Sequence, residues 1–77
     1  MVPLPERRTF GLELAGRIAS AVRVLPEKQR AVFVLRHYEE MSLEEIADSL
    51  GMNLGTVKSS LHRAVHRLRE RLTGIRA

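Results

Sequence analysis

Cysteine is absent from the 77 residues, which excludes disulfide staples and thiolate metal sites. That absence fits a reducing compartment, and a cytoplasmic protein is expected. No apolar run approaches the ~20 residues that a membrane-spanning helix needs, and no stretch reads as a signal peptide, so membrane insertion is not expected. Internal repeats and low-complexity segments are missing as well. So is any catalytic constellation: the serines have no recognisable His–Asp partnership, and neither enzymatic activity nor a cofactor is expected. Acidic residues are scarce in one place in particular. From Asn53 to Ala77 there are six basic residues (Lys58, Arg63, Arg67, Arg69, Arg71, Arg76) and one acid, Glu70.

What remains is a short basic chain with segregated charge. A chain of 77 residues is one domain, burying only about 60% of its unfolded surface, so modest stability is expected. The net charge is +4, and its distribution says more than its size. From Glu39 to Asp48 there are five acids (Glu39, Glu40, Glu44, Glu45, Asp48) and no Lys or Arg. The positive field is therefore concentrated on the last third of the chain, as a phosphate-binding surface requires.

Hydrophobic periodicity predicts four helices and no strands. Residues 1–8, with Pro3 and Pro5, read as a linker or flexible start. Helix one is expected over about 9–24, with Phe10, Leu14, Ile18, Ala21, Val22 and Leu25 on one stripe. Helix two is expected over 26–38, opening at Pro26, whose missing N–H would be unpaired in a first turn anyway. Its middle, Ala31 to Leu35, is apolar all round, so either neighbouring helices cover both sides or one side meets a protein partner. Val34 projects nearly opposite Val32, and Val34 with Tyr38 is the candidate partner-binding pair. Helix three is expected over 43–50, fixed by a capping box of Ser42 with Glu45 and ended by Gly51. Helix four is expected over about 54–72 after Asn53 as N-cap, and residues 74–77 form a basic tail.

A short acidic helix, a tight turn and a long basic helix form the pattern of a helix-turn-helix. On helix four Val57, Leu61, Ala64, Val65, Leu68 and Leu72 fall within one arc. Gly55, Thr56, Ser59, His62, Arg63, His66 and Arg67 fall on the opposite arc, flanked by Lys58 and Arg69. A major groove admits one such helix. The small residues at its start allow close backbone approach, and the N–H groups of Leu54, Gly55 and Thr56 are candidate phosphate donors. Lys58 and Arg63 can reach guanine or phosphate, and Ser59 and His62 either. Arg67, Arg69 and Arg71 steer rather than specify. Each has a plainer reading: Arg63 paired with Glu70, Lys58 merely solvated, Thr56 spent on capping. His62 and His66 have the i, i+4 spacing of a metal pair, but no third ligand is evident and no metal site is assigned.

From Leu25 onward the residues closely resemble the C-terminal promoter-binding domain, region four, of RNA polymerase sigma factors of the extracytoplasmic-function (ECF) type. The resemblance is carried by Leu25–Phe33 (LPEKQRAVF), Met41–Ala47 (MSLEEIA) and Gly55–Ala64 (GTVKSSLHRA), in the family's order and spacing. It implies an all-α four-helix domain in a bacterial cytoplasm. It implies binding of double-stranded promoter DNA at the −35 element through Thr56, Lys58, Ser59, His62 and Arg63. It also implies contact with the β-subunit flap of core RNA polymerase, and often capture by an anti-sigma factor. Two positions depart from the common pattern: Ser60 stands where Arg is frequent, and His62 occupies a variable position. Nothing here resembles the sigma domain that melts the −10 element, so this chain alone is not expected to initiate transcription. Residues 1–8 are expected to be the end of an interdomain linker.

Two other readings compete. LuxR-type effector domains of response regulators share the Glu-Ile-Ala and Gly-Thr-Val-Lys layout, but usually place a His two residues after that Lys, where this chain has Ser60. A sigma-mimicking module that titrates an anti-sigma factor would be expected to lose the basic residues of helix four, whereas Lys58, Arg63 and Arg67 are kept.

Overall fold

The computed structural model describes the backbone of residues 4–73 and the side chains of residues 11–73. Four helices follow one another: α1 (Leu4–Arg23), α2 (Glu27–His37), α3 (Leu43–Leu50) and α4 (Leu54–Leu72). The described residues contain no strand. Helix α1 begins at Leu4 rather than near Thr9, so residues 4–8 of the expected flexible start are helical. Pro5 falls in the first turn, where a missing N–H forfeits no intrahelical bond, so it does not delay the helix. The side chain of Phe10, residues 1–3 and the expected basic tail at 74–77 lie outside the described residues.

Pro26 is the N-cap of α2 rather than its first residue, and Tyr38 is its C-cap. Arg30 ties the first two helices together, its Nη1 donating to the carbonyls of Arg23 at 3.2 Å and Leu25 at 3.1 Å. At the far end of α2 the chain turns through Glu40, which holds φ 57°. Arg36 Nη1 donates across this turn to the Met41 carbonyl at 2.9 Å. The capping box of α3 is complete: Glu45 N–H donates to Ser42 Oγ at 3.0 Å, and Ser42 N–H donates to Glu45 Oε1 at 2.8 Å. Gly51 closes α3 in the left-handed region at φ 66°, its N–H bonded to the Ala47 carbonyl.

Two apolar clusters hold these helices. Ala21, Val22 and Leu25 meet Phe33, Ala64 and Leu68 in the first, uniting α1, α2 and α4. Val32, Ile46 and Val57 form the second, uniting α2, α3 and α4, and all three are fully buried. Leu61 packs against both. The all-round apolarity of α2 follows from this division: Val32 and Leu35 face one cluster, Phe33 and Val34 the other. Neighbouring helices thus cover both sides of α2, and Val32 is unavailable to a partner. Val34 is half-buried, while the Tyr38 ring is exposed and stands edge-on to Phe33 with centroids 6.3 Å apart.

Candidate nucleic-acid interface

Helix α4 is shared by both clusters, and its orientation is fixed by what it buries. The buried centre runs through Val57, Ser60, Ala64 and Leu68. Leu61, Val65 and Leu72 lie on the flank, half-buried. The stripe is therefore rotated slightly from the arc of large apolar residues, and Ser60, only 8% exposed, lies inside it. The reason is geometric: positions 57, 60, 64 and 68 recur at the three- and four-residue steps that keep one face inward.

This orientation turns the candidate DNA-binding residues outward together. Gly55, Lys58, Ser59, His62, Arg63, His66 and Arg67 are exposed, and Thr56 is half-buried. They occupy adjoining turns of one helix, so a single ligand surface can meet them all. Shallow grooves flank this ridge. One is lined by His62, Arg63, His66, Arg67 and Glu70. The other is lined by Leu43, Leu61 and Val65 together with Lys58, His62, His66 and Arg69.

The start of α4 is anchored by Asn53, whose Oδ1 accepts the Thr56 N–H at 2.7 Å. Thr56 N–H is therefore not a phosphate donor, a correction to the expected trio; Leu54 and Gly55 keep N–H groups with no intrahelical partner. The Ser59 hydroxyl donates to the Thr56 carbonyl at 3.1 Å, so it lies back on the helix and would have to rotate to meet a base. Glu70 does not pair with Arg63. Its Oε2 lies 3.3 Å from His66 Nε2, both side chains being exposed. Among the described residues no acid lies within ion-pair distance of Lys58, Arg63 or Arg67, so these cations are available to a ligand. Nor do three or more His, Cys, Asp or Glu side chains converge on a metal site among the described residues. No described helix is long and apolar enough to cross a membrane.

The five acids between Glu39 and Asp48 are placed around the α2–α3 turn and along α3. Glu45 is occupied in the capping box, and the others are exposed. Sequence reasoning did not foresee the contact between His66 and Glu70, although their i, i+4 spacing carries the signal.

Residues 15–68 match the family model described as sigma-70, region 4. Over 55 residues the chain is 62% identical to an RNA polymerase sigma-E factor of Streptomyces antibioticus, covering 71% of this chain and 31% of that protein. Over 69 residues it is 42% identical to the ECF RNA polymerase sigma factor SigW of Bacillus subtilis, covering 90% of this chain and 37% of that protein. An ECF RNA polymerase sigma factor SigE of Mycolicibacterium smegmatis is 40% identical over 70 residues, which cover 91% of this chain and 27% of that protein. The chain thus spans about a third of the length of the curated relatives it matches.

Proposed function

Because this chain belongs to the sigma-70 region 4 family, we propose that it binds the promoter −35 element through α4 and helps direct RNA polymerase to promoters in transcription initiation. The observation that carries this reading is the division of α4 into two faces. One is locked into both apolar clusters, while the other presents Lys58, His62, Arg63 and Arg67 without a competing acid at Lys58, Arg63 or Arg67. Gly55 and Thr56 allow the backbone to approach the groove. Lys58, Ser59, His62 and Arg63 face base edges or adjacent phosphates, and His66 and Arg67 lie further along.

The protein partners follow the same reading. Core RNA polymerase, through its β-subunit flap, would dock on the side of the domain where Tyr38 is exposed beside the half-buried Val34. An anti-sigma factor is a second candidate partner. The working compartment is the bacterial cytoplasm, and the role is binding rather than catalysis. The match to region 4 favours this reading over a LuxR-type effector domain, and the retained cations disfavour a mimic that avoids DNA.

The test is a fluorescence titration of the chain against a library of −35-element duplexes at two salt concentrations, repeated with Lys58→Ala and Arg63→Ala. Sequence-selective binding that is weakened in both variants is expected. Arg63→Ala should cost about 1–3 kcal/mol and relax selectivity at one position if the side chain reads a base. A uniform loss over all sequences would make it a phosphate contact. Binding that is absent, or indifferent to sequence and to both substitutions, would sink the proposal.

A further inference from the structure

We infer that Glu70 sets where the DNA-contacting stripe of α4 ends, and thereby restrains binding to sequences other than the correct one. The inference rests on the promoter-binding reading above. Glu70 is the only acid of α4. At about 100° per residue it returns to within about 20° of Ser59, three turns earlier, and of Arg63, two turns earlier. It therefore stands on the outward stripe itself, not on a neutral flank. Its side chain is 70% exposed, so its charge faces whatever lies over that stripe.

The distances decide what it meets. Ser59 and Glu70 are about 16 Å apart along the axis, at 1.5 Å per residue, and a major groove is about 12 Å wide. For a helix that enters the groove N-terminus first, with the first two turns of α4 against base edges, Glu70 stands at the level of the rim, where the phosphates are. A carboxylate there lies within about one Debye length of phosphate and repels it. It also lies 3.3 Å from His66, its exposed neighbour one turn earlier on the same stripe. Among the described residues neither Arg67, Arg69 nor Arg71 pairs with Glu70, so no guanidinium cancels its charge directly.

Specific and indifferent complexes respond differently to such a charge. A specific complex is pinned by the residues from Thr56 to Arg63. An indifferent complex rests on phosphate contacts alone and settles wherever most cations can be engaged. The distal half of α4, with Arg67, Arg69 and Arg71, would offer those cations were it not for Glu70. The carboxylate thus penalises the wrong poses more than the right one.

The test compares the 77-residue chain with Glu70→Gln and with Glu13→Gln, which removes the same charge from an exposed position on α1. Each is titrated by fluorescence anisotropy against a −35-element duplex and a scrambled duplex at low salt. Glu70→Gln is expected to tighten binding to the scrambled duplex about threefold. Its gain on the −35 duplex should be smaller, and Glu13→Gln should change both less. Unchanged or weaker scrambled binding in Glu70→Gln would overturn the inference, as would an equal gain on both duplexes or an equal gain from Glu13→Gln. If the unsubstituted chain binds neither duplex, or both alike, the promoter-binding reading itself fails and takes this inference with it.

Discussion

The side chain of Asn53 holds the backbone of Thr56 at 2.7 Å, and that bond fixes where α4 begins. Every outward residue of α4 inherits its height from this origin. Replacing Asn53 by Ala should cost about 1 kcal/mol, the usual loss when a capping oxygen is removed. Thermal unfolding should fall by about 4–8 °C for each kcal/mol in a domain of this size. Asn53→Asp keeps the capping oxygen but sets a negative charge beside the N–H groups of Leu54 and Gly55. It should therefore preserve the melting temperature while weakening DNA binding, and the two readouts together separate capping from phosphate contact.

Glu40 and Gly51 make an opposed pair of turn positions. Both hold positive φ, 57° at Glu40 and 66° at Gly51. A side chain in that region is strained by roughly 1–2 kcal/mol, which glycine avoids. Glu40→Gly should therefore stabilise the domain by about 0.5–1 kcal/mol, part of the relief being offset by the freer unfolded chain. Gly51→Ala should destabilise it by about 1 kcal/mol even though no atom within 4 Å obstructs a Cβ there. Urea midpoints measured on both variants should move in opposite directions.

Much of this architecture was legible in the residues because each signal is local. Ser42 with Glu45, Gly51 and Asn53 mark helix ends through bonds that span at most a few residues. The outward arc of α4 follows from a period that large apolar residues trace plainly. Two features were not legible, because no local signal carries them. The apolar run of α2 could not be divided between two clusters until α1 and α3 were in place. Ser60 carries no apolar signal, yet Val57 and Ala64 take it inward with them. Thr56, by contrast, follows the capping alternative that Asn53 already signalled, its N–H bonded to the Asn53 side chain.

Ile46 and Leu12 bracket what burial is worth here. Ile46 is fully buried against Val32 and Val57, while Leu12 on α1 is 71% exposed. Ile46→Ala should cost about 2–5 kcal/mol, from lost burial and the cavity left behind. Small domains hold only about 5–15 kcal/mol in total, so this loss should remove a large share of the stability. Leu12→Ala should stay within about 0.5 kcal/mol of the unsubstituted chain. Circular dichroism followed through urea titration measures both, and similar costs would contradict the assignment of the second cluster as core.

Ser60 lies on the buried centre of α4 at 8% exposure, between Val57 one turn before and Ala64 one turn after. Ser60→Ala should be neutral or stabilising by up to about 0.5 kcal/mol, since Ala is the better helix former and leaves no hydroxyl in an apolar stripe. DNA affinity should not change, because the hydroxyl does not face outward. Ser60→Arg is the more searching substitution, since Arg is frequent at this position in the family that the chain resembles. The guanidinium cannot remain in the core unpaired, so its stem should run along the helix flank and carry the charge to the surface. If it arrives beside a phosphate, the log–log salt dependence of binding should steepen by about 0.9. An unchanged slope with a lowered melting temperature would mean that the side chain is displaced away from DNA, and that position 60 serves packing in this chain.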